Sequence, residues 1–158
     1  MTLRAATAAD VPQILAFIRG LAEYERLLHE VVATEEGMRH ALFGPRPFAE
    51  VVLAEDDGVP VGFALFFHTF STFLGQPGIY LEDLFVVPAA RGRGVGRALL
   101  AHLSRVAIER GCGRVEWAVL DWNAPAIRFY DSLGAQPNSE WTVYRLTDEA
   151  LAALAASK

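Results

Sequence analysis

Apolar positions along this chain of 158 residues recur in two different periods, and the change from one to the other marks out the elements. Ile14, Leu15, Ile18, Leu21 and Ala22 repeat at three- and four-residue intervals, which predicts a helix; Thr7 and Asp10 stand ahead of it at capping-box spacing. Residues 3–5 form a short strand before it. A second short helix is predicted to begin after Thr34 and to end near Leu42, where Gly44-Pro45-Arg46-Pro47 stops it. The period then shortens to two. Residues 51–54 and 61–69 read as strands joined by the Asp56-Asp57-Gly58 turn, and Gly75-Gln76-Pro77-Gly78 turns the chain into a further strand over 79–87. Their short connections make these three strands antiparallel neighbours.

The helical period returns over 94–110, with Val95, Leu99, Leu103 and Val106 facing the sheet and Gly111 ending the run. Residues 115–120 follow as an apolar strand, and strand-helix-strand order sets it parallel to the strand over 79–87. Another helix starts about Asn123-Ala124-Pro125 and is closed by Gly134. Residues 141–146 alternate as a last strand, and Thr147-Asp148-Glu149 opens a terminal alanine-rich helix. The expected fold is a single α/β domain over 1–158, built on a mixed, mostly antiparallel sheet with helices on both faces.

Composition narrows the function. A hydrophobic content of 53% is ample for one core in a chain of this size. The net charge of −5, with no basic block, argues against a nucleic-acid partner and suits a cationic substrate. The longest mainly apolar stretch, 59–74, is interrupted by Pro60, Gly62, His68, Thr69 and Ser71, so no membrane span is expected; no charged-then-apolar leader opens the chain either. A single cysteine, Cys112, cannot form an internal disulfide and fits a reducing cytoplasm. The four histidines are scattered without ligand spacing, and no metal site is expected.

The strongest chemical signal is the run Leu81-Glu82-Asp83-Leu84-Phe85-Val86-Val87-Pro88-Ala89-Ala90-Arg91-Gly92-Arg93-Gly94-Val95-Gly96-Arg97, in which an apolar strand passes through a glycine-rich turn into a helix. Glycines let the backbone approach an anion closely, and the first N–H groups of the helix point at it with the positive end of the dipole. Arg91, Arg93 and Arg97 add positive charge nearby. The turn is neither of the two familiar nucleotide signatures. No Gly-Lys pair exists for a P-loop, and Arg97 stands where the third glycine of a dinucleotide fingerprint belongs. Arg91, Gly94 and Gly96 instead make Arg-x-x-Gly-x-Gly, which resembles the acetyl-coenzyme A loop of the GNAT superfamily of N-acetyltransferases.

That resemblance extends over nearly the whole chain through Glu23-Tyr24-Glu25, Tyr80-Leu81-Glu82-Asp83, Leu120-Asp121-Trp122-Asn123 and Phe129-Tyr130 ahead of Leu133-Gly134-Ala135. These segments are similar to the diamine acetyltransferases, the spermidine/spermine-type branch. Residues 68–73 and 118–123 look more like its thialysine-acetylating subgroup, because polyamine enzymes carry Asp and Trp where this chain has Ser71 and Phe73.

The resemblance implies acetyl-CoA as co-substrate, no metal, a small primary amine as acceptor and a homodimer in the cytoplasm. Acetyl transfer to an amine needs a base, because an alkyl ammonium has a pKa of roughly 10 in water. It also needs a polarised thioester carbonyl and an acid for the leaving thiolate. Glu82 is implied as the base, acting through water, and Tyr130 as the acid. Asp83, Tyr24 and Glu25 are implied contacts of the substrate cation. Cofactor contacts are implied for the main chain of Leu84, Phe85 and Val86, for Arg91, Gly92, Arg93, Gly94, Val95, Gly96 and Arg97, and for Asn123, Ala124, Pro125 and Ala126.

The residues alone leave alternatives. Strand alternation sends Glu82 and Asp83 to opposite faces unless the strand bulges, and both could simply be capped by arginines at a sheet edge. Tyr130 next to Phe129 could be aromatic core. Arg91 could anchor the loop instead of touching the ligand. A coenzyme A-binding module without turnover, and an enzyme acting on polyamines or protein lysines, are the competing functions.

Overall fold

The computed structural model describes residues 1–157, which form two compact units, Met1–Ala118 and a second from Val119 on. In the first, five strands lie in the order β1-β2-β3-β4-β5: Thr2–Ala5, Glu50–Asp56, Val59–Ser71, Gln76–Val86 and Val115–Trp117. The first four pair antiparallel, and β5 runs parallel to β4. Asp57 and Gly58, with φ of 50° and 79°, take the left-handed conformations that a two-residue hairpin turn needs to match strand twist.

Helices α1 (Val11–Tyr24) and α2 (Glu35–Phe43) cover one face. Ile14, Phe17 and Leu42 pack there against Val51, Leu53, Phe63, Leu65 and Phe85, which follow strand alternation, and Phe17 stacks on the fully buried Phe63 at 5.5 Å between ring centroids. The other set of alternating positions, including Ala64, Phe66, Ile79 and Leu81, is buried on the opposite face, where α3 (Val95–Glu109) lays down Leu99 and Leu103. Thr34 caps α2 by accepting the Gly37 N–H at 3.1 Å.

Polar ties hold the edges. Asp10 accepts the Thr7 N–H at 2.7 Å, completing the back-reach expected of a capping box. Arg4 on β1 then grips Asp10 through two N–H groups at 2.8 and 2.9 Å and Glu55 on β2 at 2.8 Å. At the other end of the sheet, Arg110 forks onto Glu50 at 2.6 and 2.8 Å.

Three expectations change. The β3–β4 reversal uses residues 72–75, so Gln76 and Pro77 already belong to β4. The strand expected over 115–120 stops at Trp117 because its pairing with β4 ends there. Residues 141–146 form no strand: Trp141, Val143 and Tyr144 are 74%, 91% and 94% exposed, and without a neighbouring ladder their alternation has nothing to pair with. The second unit holds α4 (Ala124–Ser132) and α5 (Asp148–Ala156).

Candidate active site

Everything at the site turns on one irregularity in β4. Leu65 of β3 faces Asp83, but the next residue, Phe66, faces Leu81, so Glu82 is an extra residue with no partner across the ladder. This is a β-bulge, and it reverses the facing of the strand. Leu81 stays with Phe66, while Asp83 joins Leu65 and Phe85 on the side covered by α1. The bulge that the adjacent carboxylates required in order to share a surface is present.

Glu25, the residue that follows α1, completes an acidic group with them. Burial pushes the Asp83 carboxyl up to about 6, and the negative charges of Glu82 and Glu25 push in the same direction. Burial also raises Glu25. Tyr80 is raised by burial, with Glu82 and Glu116 adding to it. Carboxylates that raise one another's proton affinity in this way favour an incoming ammonium, so the arrangement can hold a positively charged ligand.

The same bulge opens the sheet. The parallel ladder pairs Ile79 with Val115, Tyr80 with Glu116 and Leu81 with Trp117, then ends. From Glu82 to Val86 the β5-side edge of β4 has no strand beside it among the described residues. Unpaired main-chain groups on such an edge accept an extended ligand as they would accept another strand. The Val86 carbonyl is already taken, by Arg91 Nε at 2.9 Å.

Beyond that edge the chain passes Pro88–Ala90 into the glycine turn. Gly92 and Gly94 have φ of 74° and 83°, a conformation other residues adopt only with strain, and a Cβ built on either meets no atom within 4 Å. The backbone there faces open space. Gly94 caps α3 without a side chain, leaving the first N–H groups of the helix for an anion. Val95 is buried as the first residue of α3, and Gly96 follows it. Of the three arginines, Arg93 is tied to Asp56 at 2.6 Å and Arg91 is held over aromatic rings, while Arg97 is exposed and makes no ion pair among the described residues. An open strand edge leading to a glycine-lined helix start fits an extended ligand that carries an anionic group.

Tyr24, Glu25, Glu82, Asp83, Leu84, Phe85, Val86 and Arg91 to Arg97 are thus all in the first unit. Asn123, Ala124, Pro125, Ala126 and Tyr130 belong to the second. There Asn123 Oδ1 accepts the Ala126 N–H at 3.4 Å and caps α4, Pro125 sits in its first turn, and Gly134 ends it with φ of 81°. Tyr130 lies on α4 with its ring 5.5 Å from that of Phe129. Ser71 and Phe73 are elsewhere, at the tip of the β3–β4 hairpin. Ser71 Oγ accepts the Leu74 N–H at 3.2 Å and Phe73 is 98% exposed. Six residues of strand separate Ser71 from Leu65, opposite Asp83, or about 20 Å, so within one chain this position does not belong to the acidic group. Gly20 and the stacking of Arg91 are structural features beside the site that residue-by-residue reading did not single out; Gly20 gives no signal in the helical pattern except that a glycine mid-helix calls for a close neighbour.

Among the described residues no cluster of three His, Cys, Asp or Glu stands ready for a metal ion, and no helix is long and apolar enough to cross a membrane.

Comparison with known proteins gives the class. Residues 14–135 match the model of the acetyltransferase (GNAT) family, and curated N-acetyltransferases align along almost the full chain, so the protein is an N-acetyltransferase. The chain belongs to the GNAT acetyltransferase family. It is 38% identical to the thialysine N-epsilon-acetyltransferase of Mus musculus, over 97% of this chain and 96% of that protein. It is 36% identical to the L-ornithine N5-acetyltransferase NATA1 of Arabidopsis thaliana, over 96% and 86%. Among solved structures, an integron cassette protein from the mobile metagenome of V. cholerae superposes with a TM-score of 0.82 at 27% identity, covering 99% of this chain and 98% of that one. Enzymes of the GNAT family use acetyl-CoA.

Proposed function

We propose that this protein transfers the acetyl group of acetyl-CoA to a primary amine of a small cationic substrate, a thialysine- or lysine-like amino acid ahead of diamines, by direct attack with both substrates bound. The observation that carries this reading is the coincidence at Glu82 of a bulge, the end of the β4–β5 ladder and an acidic group, all one loop away from the glycine turn that opens α3.

Acetyl-CoA supplies the activated acyl group. The main chain of Leu84, Phe85 and Val86 lies along its arm, residues Gly92 to Arg97 hold its pyrophosphate, and Asn123 to Ala126 flank the arm. Asp83, Glu25 and Tyr24 bind and orient the ammonium end of the acceptor. Glu82 takes the proton that the amine must lose, through water, and Tyr130 gives a proton to the departing sulfur, a match of acidity between a phenol and a thiolate. The two units work as one domain over 1–158, in the cytoplasm and as a homodimer. The exposed Phe70, Phe73 and Leu74 at the hairpin tip are apolar surface in keeping with a second copy.

The names of the relatives support amino-acid acceptors, since they act on thialysine and ornithine. Release of free coenzyme A is the test, measured with thialysine, lysine, ornithine, putrescine, spermidine and a histone-like peptide. Turnover with an amino-acid amine ahead of the diamines is expected. Binding of the cofactor without release on any amine overturns the reading in favour of a binding module, and preference for the peptide replaces the substrate class.

A further inference from the structure

Arg91 makes three contacts that join two elements of the first unit, β4 and α1. Its Nε donates to the Val86 carbonyl at the end of β4, and its guanidinium lies over the Tyr24 ring at 5.1 Å and the Phe85 ring at 5.6 Å from their centroids. Tyr24 is the last residue of α1, and Glu25 of the acidic group follows it directly. Phe85 is itself locked in place. Its ring centroid is 5.8 Å from that of Phe17, and a Cβ on Gly20 would come within 2.8 Å of its Cζ, so α1 crosses β4 at this ring only because residue 20 has no side chain. A continuous column therefore runs from α1 through Phe85 and Arg91 back to the end of α1 at Tyr24.

Only an arginine suits the middle of that column. The flat, delocalised guanidinium presents a face to aromatic rings and still donates an N–H from its edge, whereas a lysine ammonium offers neither the plane nor the fixed fork. Arg91 also begins the glycine turn, so whatever fixes this side chain fixes the entry to Gly92 and Gly94.

We propose that Arg91 is a positioning residue, not a pyrophosphate ligand, and that its stack on Tyr24 couples the glycine turn to the acceptor end of α1, so that filling either site tightens the other. This rests on the reading above, which puts coenzyme A along β4 and the turn and the amine at the acidic group. Ordering of the turn holds the guanidinium; the held guanidinium holds Tyr24 and with it Glu25. Coupling of this kind is reciprocal, and a contact of the strength of an exposed cation–π pair, broken or made, corresponds to roughly two- to fivefold in affinity.

Titration calorimetry tests it with coenzyme A and thialysine as probes, each measured with and without the other at saturation, and with acetylpantetheine, which lacks the pyrophosphate. The wild-type chain should show the two- to fivefold mutual tightening. Arg91→Lys, Arg91→Met and Tyr24→Leu should abolish the mutual tightening, whatever each does to the affinity for either probe alone; Tyr24→Phe, which keeps the ring, should retain it. The comparison does not depend on stability, because a variant that melts earlier but keeps the mutual tightening contradicts the proposal. So does a loss of coenzyme A affinity in Arg91→Met that spares acetylpantetheine, which would make Arg91 a pyrophosphate ligand, and so does a wild-type chain that binds both probes independently. A wild-type chain that binds neither overturns the functional reading itself, and the coupling with it.

Discussion

Replacing Asp83 by Asn should make the folded protein more stable at neutral pH. The Asp83 carboxyl stands at about 6, raised from an ordinary 3.8 by burial and by the charges of Glu82 and Glu25. At about 1.4 kcal/mol for each tenfold change in proton affinity, that rise means the folded chain disfavours the ionised form by about 3 kcal/mol. The sign follows from where the proton goes. Below about pH 4 folded and unfolded chains both hold it, and the residue costs nothing. Between pH 4 and 6 the unfolded chain gives it up first, so stability falls as pH rises, and above 6 the whole penalty is present. Asn keeps the shape without the charge. Asp83→Asn should therefore raise the melting temperature at pH 7.5 by about 5–10 °C in a chain of this size, with little difference at pH 4. At the same time the amine KM should rise, since a negative charge facing the ammonium is gone. Scanning calorimetry of both proteins across pH 4–8 decides it. A variant that is equally or less stable at pH 7.5, or whose gain does not grow with pH, refutes the electrostatic assignment.

Other perturbations probe the chemistry and the frame. Glu82→Gln should lower the rate chiefly at neutral pH and much less at alkaline pH, where the free amine is already available; equal loss at both would mean that Glu82 binds and does not act as base. Tyr130→Phe should cost roughly 10²-fold in turnover, the size of one proton-transfer catalyst, and near-wild-type turnover would remove the residue from the mechanism. Arg4→Met strands Asp10 and Glu55, whose side chains are only 14% and 15% exposed, and should destabilise by about 3 kcal/mol at pH 7. Because Arg4 holds the Asp10 carboxyl well below the usual range, its contribution is present above pH 4, so the deficit of the variant should shrink in acid; denaturant titrations at pH 7 and pH 3 check this. Phe63→Ala, which empties a fully buried site stacked on Phe17, should cost about 3–5 kcal/mol in the same titration.

Much of the frame was readable because local chemistry decided it. Thr34 caps α2, Asp57-Gly58 turns the first hairpin, and Gly94 starts α3, each from the conformational preference of one or two residues. The site was only half readable. Adjacent carboxylates in an apolar strand pointed to β4, but whether they shared a surface depended on a register slip between Leu65 and Phe66, and register belongs to the pairing of two strands and not to either one. The same limit explains residues 141–146, whose alternation promised a strand that has no ladder to join, and the early end of β5 where the bulge interrupts its partner. Ser71 and Phe73 carried a comparison between subgroups by position in the chain, yet their distance from Asp83 follows from how far β3 runs past the bulge. The stack of Arg91 between Tyr24 and Phe85 was unreadable for a similar reason: it joins residues 67 positions apart that only the crossing of α1 over β4 brings together.

Amide hydrogen exchange with and without coenzyme A bears most directly on the claim that the open edge of β4 and the glycine turn receive the cofactor. Binding should slow exchange in segments covering Glu82 to Val86 and Gly92 to Arg97, with the center of the sheet at β2 and β3 unchanged. Protection that appears on other segments while residues 82–97 exchange as they do in the free protein would contradict it.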